Sequence, residues 1–316
     1  MPVLLATKLQ LPQVDTEAIV RPRLLGQLTR GLDSNVTLIS APAGYGKTTL
    51  AATWLRAMAG NTASAATLQA AWYSIDETDD DPTTFFNYFT VALRAVYPGS
   101  CPQAHAMAGQ LEHATAEQLA VTLAAECLLL PAKTILVLDD LHLVTNPVIH
   151  RALTHLVRYA SPRLHLVAIT RSDPPWPVAR LRAQRQLSEV RVHDLQFTRE
   201  ETSGLFAVTF ERPLDQAALD RLHRQTEGWV AGLQLAAIGI QARAAGNLSG
   251  DNMQVDDVGY SAGRYTIDYL VDEALEGQPA TIQRFLLTTA LLERFTAPLA
   301  AQVLEDVDTA ACAGLI

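Results

Sequence analysis

A parallel α/β sheet covered by helices on both faces, followed by a helical region, is the fold class this 316-residue sequence predicts. Three observations predict it. Short apolar runs rich in β-branched residues alternate with segments of helical spacing as far as about residue 195. Those runs are apolar throughout rather than at every second position, the pattern of strands buried on both faces. Beyond about residue 196 the strand signal stops, and helical patterns continue to the end.

The elements follow in order. VTLISA, from Val36, is a strand that leads through a glycine loop into the helical pattern TTLAATWLRAMA. AWYSI, from Ala71, is the second strand. Asp81-Pro82 then supplies an N-cap and first-turn proline for a helix over FFNYFTVALRAV. EQLAVTLAAECLLL, from Glu117, is a further helix, and TILVLDD, from Thr134, a strand ending in two acids. Asn146-Pro147 starts the helix NPVIHRALTHLVRYA; LHLVAITR, from Leu164, is the fourth strand and EVRVHDL, from Glu189, a fifth. Thr198 with Glu201 forms a capping box for TREETSGLFAVTF. LDQAALDRLHRQTEG and WVAGLQLAAIGIQARAA continue as helices. The Gly-, Ser-, Asn- and Asp-rich stretch over about 245–263 reads as a mobile loop, and RYTIDYLVDEALEG and PATIQRFLLTTALL as helices after it.

Composition excludes several classes. With 24 Lys and Arg against 33 Asp and Glu, the net charge is -9, which disfavours a dedicated nucleic-acid face or a polybasic membrane anchor. Cys101, Cys127 and Cys312 are far apart and outside any CxxC pair, so neither a zinc ribbon nor a disulfide scaffold is expected. The start, MPVLLATKLQLPQ, lacks the pattern of a signal peptide, and no run approaches a membrane span; a cytoplasmic protein is expected.

The most specific chemistry lies in Ala41-Pro42-Ala43-Gly44-Tyr45-Gly46-Lys47-Thr48-Thr49. Placed between a strand and a helix, this is the context of a phosphate-binding loop, or P-loop, whose amides point at phosphate oxygens. Gly44 and Gly46 supply the backbone freedom, with Ala41 standing where the pattern has its first glycine. Lys47 is placed to bridge β- and γ-phosphates, and the Thr48 hydroxyl to hold Mg²⁺. Leu136-Val137-Leu138-Asp139-Asp140 has the form of a Walker B strand. Asp139 would orient Mg²⁺. Asp140 would position or deprotonate an attacking water, or serve only electrostatically. Arg171 ends the fourth strand, at the edge that faces the ligand crevice in open parallel sheets, as a γ-phosphate sensor or a surface cation. Residues 76–81 form an acidic stretch that reads as helix-capping charge in a solvated loop, or as a metal site. The arginines between Arg151 and Arg191 read as a mainly salt-bridging face. On these residues alone a metabolic kinase or mechanical ATPase, or a scaffold with a vestigial nucleotide site, is also open.

SAPAGYGKTTL, AWYSIDETDDDPTTFFNYF, ILVLDDLHLV, LVAITRSDPPWPVARLRA, TEGWVAGLQLAA and FLLTTALLERFTAPL together resemble the ATPase module of MalT-type transcriptional regulators, the large ATP-binding LuxR-family proteins of the STAND class. The resemblance runs from RPRLL at Arg21 to about Leu304. It implies a three-layer, AAA-like nucleotide-binding domain over 1–195, a helical domain over 196–276 and a winged-helix domain, cut short, over 277–316. It implies that Val20, Arg21 and Arg23 lie near the adenine, with Gly44, Tyr45, Gly46, Lys47, Thr48 and Thr49 on the phosphates and Arg171 as sensor. Gln234 stands where related proteins carry an adenine-touching proline. The ligands implied are ATP or ADP with Mg²⁺. The mechanism implied is a closed, ADP-bound monomer that exchanges to an ATP-bound, self-associating form and is reset by slow hydrolysis. Inducer and DNA would be bound by domains outside this chain.

Overall fold

The computed structural model describes residues 4–14, 18–60, 68–109, 115–159, 161–210, 214–246, 280–290, 296–304 and 312. The chain divides into two compact units, Met1–Leu233 and Gln234–Ile316.

The first unit is built on five parallel strands: β1 (Val36–Ser40), β2 (Leu68–Ser74), β3 (Lys133–Asp139), β4 (Leu164–Thr170) and β5 (Leu187–Val190), in the order β2-β3-β4-β1-β5. Side chains alternate across a strand, so the apolar runs feed two cores. Leu38, Leu136, Leu138, Leu166 and Ala168 join one core. Ile39, Ile135, Val137, Val167 and Ile169 join the other. The second core is closed by α1 (Pro22–Gly31) and α2 (Lys47–Ala59), through Leu24, Leu28, Leu50 and Trp54. The first is closed by α3 (Pro82–Val96), α4 (Pro102–Ala108), α5 (Ala116–Cys127) and α6 (Pro147–Arg158). Two helical layers around one sheet make the three-layer architecture that the fully apolar strands require.

The capping signals act as read. Asp81 Oδ2 accepts from Thr84 N at 2.8 Å, Asn146 Oδ1 from Val148 N at 2.9 Å, and Thr198 forms its reciprocal box with Glu201. The fifth strand is displaced from the expected EVRVHDL. It ends at Val190, because the Arg191 N–H donates to Asp194 Oδ2 at 2.8 Å and turns Val192–Leu195 into a short helix, α7 (Val178–Ala183) preceding the strand and α8 (Val192–Leu195) following it. Helices α9 (Arg199–Thr209) and α10 (Gln216–Thr226) then pair, with Thr202 Oγ1 3.0 Å from His223 Nδ1.

Helix α11 (Val230–Gly246) begins in the first unit and runs into the second. The second unit also contains α12 (Ala280–Thr289) and α13 (Ala297–Leu304), with Phe285, Ala300, Leu304 and Cys312 forming a small core. Of the loop expected over 245–263, all beyond Gly246 lies outside the described residues, as does RYTIDYLVDEALEG.

Candidate nucleotide site

Strand register brings the sequence motifs to one edge. β4 lies between β1 and β3, with Ser40 opposite Thr170 and Leu138 opposite Ala168. Three segments therefore leave the sheet side by side: the loop from Ala41, the residues after Thr170, and Asp139-Asp140.

In the loop, Gly44 and Gly46 both adopt positive φ, +77° and +72°. Gly46 is the left-handed residue that opens α2, and its position is otherwise open, so backbone conformation alone demands glycine there. Lys47 is buried and its Nζ donates to Pro42 O at 2.8 Å, folding the side chain back over the loop. Thr48 and Thr49 continue the first turn of α2, whose free amides form the positive end of the helix dipole.

Thr48 Oγ1 donates to Asp139 Oδ1 at 3.0 Å, a contact between residues 91 apart in sequence. Asp139 is 4% exposed. Burial and the neighbouring charge of Asp140 raise its pKa to about 7, against the Thr48 hydrogen bond and the Lys47 charge. Burial and the Asp140 charge thus outweigh the contacts that favour the ionised form. A hydroxyl and a carboxylate oxygen are hard donors suited to Mg²⁺, which usually takes one or two protein oxygens and fills its shell with phosphate and water. The residues fit that ion.

Asp140 is built differently. Its backbone is left-handed, with φ 58°, and its carboxylate is half exposed, 3.8 Å from His142 Nδ1. Arg171 is exposed at the end of β4, in the strand position between the P-loop and the acids. Beside it, Ser40 Oγ donates to Asp173 Oδ1 at 3.1 Å, and Arg191 pairs with Asp173 and Glu189. Glu189 also accepts from Arg182, and these two arginines hold its carboxyl at about 2. Part of the basic cluster is thus an intramolecular ion-pair face.

Val20 is exposed. Arg21 and Arg23 clasp the segment that leads into α9. Arg21 Nη2 donates to Gln196 O at 2.9 Å and meets Glu201 Oε2 at 3.0 Å, with its guanidinium 4.7 Å above the Phe197 ring. Arg23 donates to Asp194 O, Gln196 O and both Glu201 oxygens at 2.7–3.0 Å. Burial would raise the Glu201 pKa, but hydrogen bonds from Arg23 and Arg21 hold it below the ordinary value.

Two residues at the site escaped the sequence reading. Trp229 Nε1 donates to Ala43 O at 3.1 Å, and Ala231 N donates to Gly44 O at 2.9 Å. A Cβ on Gly44 would lie 2.7 Å from both Trp229 Nε1 and the Ala231 Cβ. Gly44 is therefore needed for the approach of this segment as well as for its φ. Gly232 has a matching reason, since a Cβ there would lie 2.6 Å from the Trp229 ring. Gln234 is exposed.

The acidic stretch resolves as capping and ion pairing. Asp79 is fully buried and accepts from Lys8 Nζ at 2.7 and 2.9 Å, Asp80 accepts from Thr145 and Asn146, and Asp81 caps α3. Among the described residues no group of three or more His, Cys, Asp or Glu is arranged to hold a metal ion, and no helix is long and apolar enough to cross a membrane.

A glycine loop between a parallel strand and a helix, joined through its threonine to an acid two strands away, defines a P-loop NTPase. Solved structures show the same fold. The Aeropyrum pernix Orc1 protein in complex with DNA aligns with a TM-score of 0.54 at 17% identity, covering 96% of this chain and 84% of that one. The Drosophila ORC bound to DNA aligns at 0.50 and 15%, covering 93% and 74%. Closer relatives are regulators. The chain is 34% identical over 307 residues to the HTH-type transcriptional regulator MalT of Cronobacter sakazakii, covering 95% of this chain and 32% of the relative. The Serratia proteamaculans MalT is 34% identical over 290 residues, covering 92% and 31%. Residues 271–314 match the MalT winged helix domain. The chain is similar to these regulators along nearly all of its own length and spans about a third of theirs.

Proposed function

We propose that this chain is the ATP-binding, slowly hydrolysing switch module of a cytoplasmic, STAND-class transcriptional regulator of the LuxR family. The observation that carries the reading is the Thr48–Asp139 hydrogen bond at the carboxyl edge of the sheet, beneath a glycine loop that holds Lys47. Gly44, Tyr45, Gly46, Lys47, Thr48 and Thr49 bind the phosphates. Thr48 and Asp139 hold Mg²⁺, which supplies charge neutralisation on the phosphate oxygens when bound. Val20, Arg21 and Arg23 lie on the adenine side; the two arginines act by fixing the segment that enters α9. Asp140, half exposed beside the buried acid, positions the attacking water and takes its proton, and Arg171 senses the γ-phosphate. One acid and one arginine make a modest catalytic set, which suits a timer rather than a metabolic turnover.

The domains run over 1–195, 196–276 and 277–316. ADP favours a closed monomer and ATP an open, self-associating form. The two nucleotides act only through their difference in affinity for the two states; about 10⁴-fold is needed to move the balance from 1:99 to 99:1. Inducer and DNA bind elsewhere in the full protein.

The test is equilibrium binding of ADP and ATP with Mg²⁺ to the wild type and to Lys47→Ala. Loss of the charged phosphate contacts is expected to weaken binding at least about 30-fold, roughly 2 kcal/mol. Equal binding by both proteins would overturn the reading.

A further inference from the structure

We infer that Trp229 and Ala231 are positioning residues of the phosphate site: the start of α11 orients the P-loop amides that receive phosphate. The inference rests on the nucleotide-binding reading above and deepens it.

In a planar trans peptide the C=O of one residue and the N–H of the next point in opposite directions. No cis peptide bond is present among the described residues. An acceptor's direction therefore fixes the direction of the following donor. The Pro42 carbonyl accepts from Lys47 Nζ at 2.8 Å, which sets the Ala43 N–H. The Ala43 carbonyl accepts from Trp229 Nε1 at 3.1 Å, which sets the Gly44 N–H. The Gly44 carbonyl accepts from Ala231 N at 2.9 Å, which sets the Tyr45 N–H. Three consecutive peptide planes are held by their carbonyls, and two of the three holders lie about 186 residues away, in the segment that begins α11.

The arrangement serves both partners. Ala231 N is in the first turn of α11, where an amide has no carbonyl within its own helix. The P-loop supplies that acceptor. The turn before it is fixed by Gly228 at φ +73°, whose carbonyl accepts from Phe197 N at 2.8 Å. A Cβ on Gly228 would lie 2.5 Å from Phe197 O, so the turn is built to bring Trp229 to the loop.

Without the two donors, the planes 43–44 and 44–45 are freer to rotate, and phosphate must pay the ordering cost when it binds. Linkage makes the effect mutual: if the α11 start tightens phosphate binding, phosphate tightens the α11 start by the same factor.

The experiment compares the wild type with Trp229→Phe, which keeps an aromatic ring and removes the Nε1 donor. Affinities for ADP and for adenosine are measured on both, with thermal unfolding as a check of folding. The expected result is about 5-fold weaker ADP binding, the size of one lost hydrogen bond, with adenosine affinity unchanged. A second measurement needs no variant. The protein has four tryptophans, and the indole N–H of Trp229 is followed by NMR as pyrophosphate is added; its solvent exchange is expected to slow. Equal ADP affinity in the two folded proteins, an equal loss for adenosine, or an indole exchange rate indifferent to pyrophosphate would overturn the inference. Failure of the wild type itself to bind ADP would overturn the underlying reading instead.

Discussion

The loops after the neighbouring strands β2 and β3 both carry clustered acids, yet they treat negative charge in opposite ways. After β2, each of Asp76, Asp79, Asp80 and Asp81 has a defined partner. Asp76 and Asp79 meet Lys8, Asp80 accepts two backbone amides and the Thr145 hydroxyl, and Asp81 caps α3. Burial alone would raise Asp76 and Asp80, but their donors win and hold both below the ordinary carboxylate range. After β3, Asp139 accepts the Thr48 hydroxyl and the Asp140 amide, yet burial and the Asp140 charge outweigh them and raise its pKa to about 7. Density of acid does not mark a site. Charge that the protein itself leaves unmet does, because a cation or a proton must then complete it.

The largest expected effect tests that unmet charge. A carboxyl raised from 3.8 to about 7 keeps its proton in the native state where the unfolded chain has lost it. The native state is then favoured at low pH, and this contribution is lost as pH rises through 7, on the order of 4 kcal/mol at full extent. Asp139→Asn cannot ionise. In chelator-treated, nucleotide-free protein, the variant should gain stability over the wild type as pH rises from 5 to 8, measured by urea unfolding. Asp76 and Asp80 carry the opposite sign, with stability present above pH 4 and lost below it. Parallel pH profiles for the wild type and Asp139→Asn would mean that the charge of Asp139 is already met.

Next in size is Asp79→Ala. It would leave buried Lys8 with Asp76, whose side chain is 49% exposed. Removing one partner of a buried pair costs about 3 kcal/mol. A fall of that size in unfolding free energy is expected, with ADP affinity of the folded variant unchanged. Loss of ADP affinity at normal stability would move the acidic loop into the nucleotide site and dissolve the contrast with Asp139.

The difference between the two loops was only half legible in the sequence. The P-loop and the acids ending β3 can be read because each is a contiguous stretch whose neighbours set its context. The caps at Asp81, Asn146 and Thr198 can be read for the same reason, since their partners lie two or three residues on. Lys8 reaches Asp79 across 71 residues, and Trp229 reaches Ala43 across 186. Neither pairing leaves a local pattern, so the metal alternative for the acidic stretch stayed open and the role of Trp229 stayed hidden. The fifth strand shows the other limit. Val190 and Val192 keep a period of two, but the hydrogen bond from Arg191 N to the Asp194 carboxylate ends the strand between them. Local alternation had to yield to a capping contact of comparable range.

The smallest expected effect concerns the outermost member of the acidic loop. Asp81 Oδ2 accepts one first-turn amide of α3, Thr84 N, at 2.8 Å, and Pro82 already fits the first helical position. The helix cannot fray far, because Phe85, Phe86, Phe89 and Leu93 are all fully buried in the core against the sheet. Asp81→Ala should therefore cost only the cap, about 1 kcal/mol. Asp81→Ser should restore most of it, while Asp81→Lys should cost more than alanine by placing a cation at the positive end of the helix dipole. Urea midpoints with unchanged slopes check the order Asp, Ser, Ala, Lys. If serine fails to recover the loss, the Asp81 carboxylate is needed for its charge rather than as a hydrogen-bond acceptor. It would then stand closer to Asp139 than to its own neighbours.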